Sequence, residues 1–226
     1  KRIAFGKLLN GGQTCVAPDY VLVEESLRDS LVQNFREVLA EKFPNGDYAD
    51  HANIVNQRHY EDKKALLAGQ TVAFGGKFDD AKRKLEPTVL IDVDPDSPVM
   101  QEEIFGPILP VLTWIKLDEA IEFVRSRPKP LALYLFTQDR AVEQKVLRTC
   151  SFGGGCINDT VIHLATPHMG FGGVGQSGMG SYHGKHSFET FTHYRSIVRK
   201  STWLDLPFRY FPYTEKKFEI IRRILK

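Results

Sequence analysis

The sequence is short of cysteine. It holds Cys15, Cys150 and Cys156, too few, and odd in number, for a disulfide framework. A reducing compartment is the simpler setting, so a cytoplasmic location is expected. No CxxC or HExxH spacing occurs, and nothing in the sequence supports a metal site. Net charge is nearly lacking: 30 basic against 28 acidic residues leave +2. Bulk electrostatics therefore give no reason to expect a nucleic-acid partner. No run approaches the roughly 20 apolar residues of a membrane span. Lys1–Asn10 is too short and mixed for a secretory signal. The chain starts abruptly in a helical pattern, which suggests a cut from something longer. There is no internal repeat and no low-complexity linker. What is present is length and apolar content enough for one large core, or one domain with an appendage.

Periodicity alternates between strand and helix. Arg2–Asn10 reads as helical and stops at Gly11-Gly12. Short apolar runs at Tyr20–Val23, Thr71–Phe74, Thr88–Val93, Val111–Ile115, Leu131–Thr137 and Gly153–Thr160 read as strands. Between them lie helical patterns. One is capped by Ser26, carries Leu27, Leu31, Phe35, Val38 and Phe43, and ends at Asn45-Gly46-Asp47. Others cover Asn56–Ala68 and the segments capped by Asp118 and Asp139. Pro95–Pro110 is rich in turn residues. This alternation predicts an α/β fold: a three-layer αβα open, mostly parallel sheet. The end of the chain differs. Pro167–Gly184 is dense in glycine, Phe188–Lys200 alternates weakly as an extended arm would, and Thr214–Lys226 is a basic helix.

Three segments carry candidate chemistry. In Gly12-Gln13-Thr14-Cys15 the thiol follows a helix end, and Pro18 forbids smooth helix continuation. Cys15 therefore sits in a turn. A thiolate there can attack a carbonyl carbon while backbone N–H groups stabilise the oxyanion. Against this, most lone cysteines are small buried hydrophobes. In Gln101-Glu102-Glu103-Ile104-Phe105-Gly106-Pro107 the adjacent carboxylates point to different faces. One of them can accept hydrogen bonds from a ribose diol, with the ring two residues on packing beside it. A polar strand entry before a turn explains the same residues. Gly173–Gly178 is a formal GxGxxG, but no adequate strand precedes it and no helix follows. It reads as a tight loop lining a pocket, where backbone must approach closely. The seven histidines are dispersed and read as surface or packing residues; His163 and Thr166 are candidate pocket-lining positions. A membrane-surface role for the basic C-terminal helix lacks further support, because its apolar stripe is short.

Together these segments resemble the aldehyde dehydrogenase superfamily. Leu8-Leu9-Asn10-Gly11-Gly12-Gln13-Thr14-Cys15 is similar to its cysteine signature, and Met100–Pro107 to its second. Phe171-Gly172-Gly173 with Ser177-Gly178-Met179-Gly180 is similar to its third. Three motifs in order cover nearly the whole chain. Cys15–Tyr20 and Tyr182–Phe188 further resemble the class 3, fatty-aldehyde type, some members of which associate with membranes through C-terminal extensions.

The resemblance implies NAD(P)-dependent oxidation of medium- or long-chain aliphatic or aromatic aldehydes to acids, with NAD or NADP as cofactor. Cys15 is then the nucleophile, passing through a thiohemiacetal and a thioester, and its backbone N–H is one oxyanion donor. Glu103 holds the nicotinamide-side ribose, with Phe105 beside it. It further implies a cysteine-bearing domain over 1–187, an oligomerisation strand and helix over 188–226, and a homodimer. In the family the NAD(P)-binding domain, the general-base glutamate and a second oxyanion donor from asparagine lie upstream of the cysteine. They are expected to be absent here, leaving an isolated fragment inactive. The alternative is a non-catalytic assembly or binding module that keeps the fold.

Overall fold

The structure, a computed structural model, describes residues 1–46 and 48–225. Asp47, expected to end the second helix, and Lys226, expected in the last one, lie outside the described residues. The chain divides into two compact units, Lys1–Phe191 and Thr192–Lys226.

The first unit begins with α1 (Arg2–Leu8), which ends in a 3₁₀ turn where Asn10 and Gly11 are left-handed. It continues through β1 (Val21–Glu24), α2 (Arg28–Lys42), α3 (Gln57–Leu66), β2 (Thr71–Phe74), β3 (Phe78–Asp79), β4 (Lys84–Leu85) and β5 (Thr88–Ile91). After a turn-rich segment come β6 (Ile108–Trp114), α4 (Leu117–Arg125), β7 (Ala132–Leu135), α5 (Arg140–Thr149), β8 (Gly154–Ile157) and α6 (Gly184–Thr190). Four strands form a sheet in the order β1-β6-β5-β2. β1–β6 and β5–β6 are parallel, and β2 joins the edge antiparallel. β7 and β8 pair in parallel as a separate sheet, and β3–β4 is a small hairpin. The α/β architecture with a mostly parallel sheet is as expected, though the strands are shared among separate sheets.

Period-two alternation explains why the larger sheet is covered twice. Leu90, Ile108 and Leu112 bury one face with Leu85, Val99, Met100 and Ile104. Their neighbours Val89, Leu109 and Val111 bury the other with Ala4 of α1 and Phe35 and Leu39 of α2. Ile104 and Ile108 are fully buried, each contributing about 1.5–3 kcal/mol. A third cluster, Ile121, Val146 and Cys150, packs α4 and α5 against β7.

Several boundaries differ from the expectation. β6 begins at Ile108 rather than Val111 and contains Pro110. β5 pairs with residues 108–110 and β1 only with 111–114, so the proline sits where one pairing gives way to the other. Ser26 does not cap α2: its hydroxyl donates to Glu24 Oε1 at 3.1 Å, and a 3₁₀ turn leads into the helix. Asp118 lies inside the first turn of α4, while the Glu119 carboxylate accepts from the Ile115 and Lys116 N–H groups at 3.0 and 3.4 Å. Asp139 does cap α5, accepting from Ala141 N at 2.7 Å. The segment expected as an arm, Phe188–Lys200, pairs with no described strand of this chain. Its first residues close α6, held by a Lys185–Glu189 ion pair and by Ser187 Oγ accepting from His183 N. The boundary expected after 187 therefore falls inside a helix.

In the second unit, Thr214 caps α7 (Glu215–Ile224), and the Lys217 ammonium donates to the Tyr210 and Pro212 carbonyls at 3.0 Å each. Tyr210 donates to Asp205 at 2.6 Å, and Arg222 stacks over Phe218. Among the described residues, no helix is long and apolar enough to cross a membrane.

His51 is buried, and neither ring nitrogen has a hydrogen-bond partner among the described residues. Burial, then the Lys84 ammonium, hold its pKa below the ordinary value. As pH falls through about 6.5, the unfolded chain takes up a proton that the folded chain refuses. The stability tied to neutral His51 is complete above that pH and is lost below it. His51→Leu is expected to flatten the fall of the urea midpoint between about pH 7.5 and pH 5.5; an unchanged slope would refute this.

Candidate active site

Cys15 is exposed at the end of the turn that follows α1, with Val16 buried behind it. The turn is braced from within: Asn10 Nδ2 donates to the Gln13 carbonyl at 3.0 Å, and Ala17 N to Thr14 O at 2.9 Å. The Gln13 side chain ties it to the segment before α3, donating to Asn53 O at 3.1 Å and accepting from Val55 N at 2.9 Å. No described group accepts a hydrogen bond from the Cys15 backbone N–H.

Two tethers bring this turn to the Glu103–Gly106 segment. On one side Gly12 lies so close to the Gly106 backbone that a Cβ would stand 2.3 Å from its carbonyl oxygen, and Gly12 is also left-handed at φ +73°. On the other side Asp19 Oδ1 accepts from Ile104 N at 3.0 Å. Cys15 sits between these tethers in sequence. Gly106 in turn rests on the aliphatic stem of Lys63, where a Cβ on the glycine would stand 3.2 Å from Cδ. Glu103 and Phe105 are exposed on either side of buried Ile104. Phe105 holds φ +50°, so the backbone is not extended there. A bulky residue there stores about 1–3 kcal/mol of strain, which the tethers on both sides sustain. The Glu103 side chain and the Phe105 ring are both exposed, and so both are open to a bound molecule.

Beneath the site lies a group of charges that sequence reasoning missed. Lys7 of α1 is fully buried and its Nζ has no hydrogen-bond partner among the described residues. Burial brings its pKa down to about 8, against the pull of Asp19 and Glu103. Burial raises Asp19, with Lys7 opposing. Glu103 is raised by burial and by Asp19, with Lys7 and Lys63 opposing. The one available signal was a lysine between Gly6 and Leu8, on the stretch of α1 that packs inward.

Aromatic rings extend from the Cys15 turn. The Tyr134 hydroxyl, from β7, donates to the Val16 carbonyl at 2.7 Å. Burial pushes the Tyr134 phenol above its ordinary range, and the Cys156 and Cys15 thiols add to this. Its ring meets His163 edge-on at 5.9 Å, His163 meets Phe171 at 6.3 Å, and Phe171 meets Tyr182 and His183. His163 is buried, with Cys156 Sγ 3.6 Å from Nδ1. It joins this aromatic wall, while Thr166 serves a local turn, accepting from His168 N at 3.2 Å. Tyr134 was hidden in an apolar run, although a buried phenol needs a polar partner. The glycine loop behaves as expected of close backbone packing: Cβ atoms on Gly172 and Gly173 would stand 2.1 Å from the Gly180 and Ser177 carbonyl oxygens. Among the described residues, no cluster of histidine, cysteine and carboxylate side chains could hold a metal ion.

A profile of the aldehyde dehydrogenase family matches residues 1–197. The chain belongs to the aldehyde dehydrogenase family. Its relatives include the 4,4'-diaponeurosporen-aldehyde dehydrogenase of Staphylococcus aureus, 51% identical over 100% of this chain and 50% of that protein. The rat dimeric NADP-preferring aldehyde dehydrogenase is 48% identical over 89% of this chain and 45% of its own length. Mouse aldehyde dehydrogenase family 3 member A2 is 49% identical over 88% and 42%, which bears out the class 3 resemblance. Among solved structures, substrate-bound Staphylococcus aureus AldH superposes with a TM-score of 0.93 at 51% identity, covering 100% of this chain and 50% of that one. The chain spans about half the length of the curated relatives it matches.

If the Gly12–Gly106 approach holds the two motifs of this family member together, its loss must cost more than a backbone angle. Gly69 has nearly the same φ, +72°, with nothing within 4 Å. Gly69→Ala is expected to cost about 1 kcal/mol and Gly12→Ala about 2 kcal/mol more, read from denaturant midpoints. Equal losses would show that the contact does not clamp the site.

Proposed function

We propose that the polypeptide carrying this chain oxidises medium- or long-chain aliphatic or aromatic aldehydes to carboxylic acids, with NAD or NADP. The observation that supports it is the pair of tethers, Gly12 against Gly106 and Asp19 to Ile104, that joins the turn bearing Cys15 to the segment bearing Glu103 and Phe105. Cys15, as thiolate, adds to the aldehyde carbon, and the free Cys15 N–H faces the developing oxyanion. The nicotinamide, when bound, accepts the hydride. The sulfur–carbon bond then belongs to a thioester on Cys15, which water cleaves to the acid and the regenerated thiol. Glu103 accepts from the ribose hydroxyls, and Phe105 packs beside them. The wall of Tyr134, His163 and Phe171 suits an apolar or aromatic substrate.

The working form in this proposal is a homodimer, in keeping with the dimeric relative, and its place is the cytoplasm. Three free cysteines fit a reducing compartment.

Aldehyde-dependent formation of NADH or NADPH by the full-length polypeptide tests the reading. Cys15→Ala is expected to lower the rate by about three orders of magnitude or more, with the circular dichroism spectrum unchanged. Absence of turnover in the unaltered protein, or turnover indifferent to Cys15→Ala, would leave a non-catalytic assembly module as the better account.

A further inference from the structure

We propose that Cys156 and His163 form a second thiol–imidazole pair, a modification site that takes α,β-unsaturated carbonyl compounds by conjugate addition at sulfur. It is separate from the Cys15 chemistry and does not rest on the reading of that residue.

Two strands and one turn build the pair. β8 carries Gly154 and Cys156 on one face, two residues apart. The His163 ring lies over that face. A Cβ on Gly154 would stand 3.2 Å from its Cδ2, so the glycine leaves room for the imidazole. Nδ1 then stands 3.6 Å from Cys156 Sγ, within hydrogen-bond reach of a thiol. β7 closes another side: Tyr134 pairs with Cys156 in register, and its ring meets the imidazole edge-on at 5.9 Å. His163 arrives there from a sharp turn, in which Val161 holds φ +66° and Ile162 N donates to Thr160 O at 2.7 Å.

His163 is 9% exposed. The thiol is the one hydrogen-bond partner of its imidazole among the described residues, and Nε2 has none. A buried imidazole left half-satisfied costs stability that an apolar ring would not. Packing against Tyr134 and Phe171 therefore explains a ring at this position but not its nitrogens. The contact with Cys156 does. A nucleophile with a base within reach is the arrangement that activates a thiol. Burial holds the His163 pKa below its ordinary value, so at neutral pH the imidazole is neutral and can take up a proton. Cys156 is half-buried, whereas Cys150 is buried against Ile121 and Val146.

A thiol in this setting suits a soft carbon electrophile. The Tyr134 and Phe171 rings beside the imidazole favour an apolar or aromatic one over a charged one. An unsaturated aldehyde meets both requirements. The Cys156 proton passes to His163 Nδ1 while sulfur bonds to the β-carbon. The π electrons of the alkene move toward the carbonyl as an enolate, and the proton returns to the α-carbon. The product is a thioether with its carbonyl intact, and nothing is oxidised or reduced.

The test treats full-length protein at neutral pH, without nucleotide, with cinnamaldehyde. The sample is then reduced with borohydride, digested and mapped by mass. Labelling of the Cys156 peptide is expected to run about tenfold faster than in the same protein unfolded in urea, where the thiol has only its ordinary reactivity. His163→Phe keeps an aromatic ring and is expected to lose about tenfold of that rate or more. Hydrocinnamaldehyde, which lacks the alkene and can form only a reversible thiohemiacetal, is expected to leave no lasting mass. Labelling of Cys156 no faster in the folded than in the unfolded protein, or equally fast in His163→Phe, would overturn the proposal. If His163→Phe does not fold, the ratio of folded to unfolded rates in the parent decides alone. Neither result bears on Cys15, so this proposal and the reading of Cys15 fail separately.

Discussion

The site depends on one close approach between backbones. Gly12 and Gly106 lie 94 positions apart yet meet with no room for a side chain. Because Gly12 ends the turn after α1 and Gly106 precedes β6, the contact joins a helix terminus to the entry of a central strand. α1 is fixed at its other end as well. Gly6 packs against the buried Thr160, whose hydroxyl donates to the Arg2 carbonyl at 2.8 Å. Helix and turn are thus held between the segment after β8 and the segment before β6, and Cys15 inherits its position from both.

The sheet supplies the rigidity for this. Alternate residues of β5 and β6 enter opposite cores, so a one-residue slip of β6 would exchange Ile108 and Leu112 with Leu109 and Val111 and disrupt both faces. That register carries Gly106, Phe105 and Glu103 with it. Phe105 keeps its unfavourable φ because Ile104 is anchored to Asp19 and Gly106 to Gly12 and Lys63. On the far side of the turn, Tyr134 reaches from the smaller sheet to Val16. Both sheets therefore touch the cysteine turn, one through backbone packing and the other through a phenol that begins an aromatic wall.

Much of this was legible in the sequence, for reasons that can be named. Period-two and period-3.6 patterns located most strands and helices: the strand at Thr71–Phe74 fell where expected, and the helix expected over Arg2–Asn10 is α1, which gives way to a 3₁₀ turn after Leu8. The three motifs pointed to Cys15, Glu103 and Phe105. Caps were less legible: Ser26 and Asp118 are good capping residues, but neighbouring Glu24 and Glu119 redirected the hydrogen bonds. The start of β6 was hidden by Pro110, which reads as a breaker unless the changeover of strand partners is known. Lys7, Lys63, Asp19 and Tyr134 were illegible because their roles arise only from tertiary neighbours far away in sequence. The arm expected over Phe188–Lys200 drew on a weak alternation and on resemblance, and neither showed that its first residues close α6.

The most direct test of the account is to catch the acyl group. Full-length protein mixed with a long-chain aldehyde and oxidised nucleotide would be quenched in acid within the first turnover, digested and mapped by mass. The account predicts the acyl mass increment on the peptide containing Cys15, and only when the nucleotide is present, because the thioester forms after hydride departure. Acylation of another residue, or none while product accumulates, would contradict it.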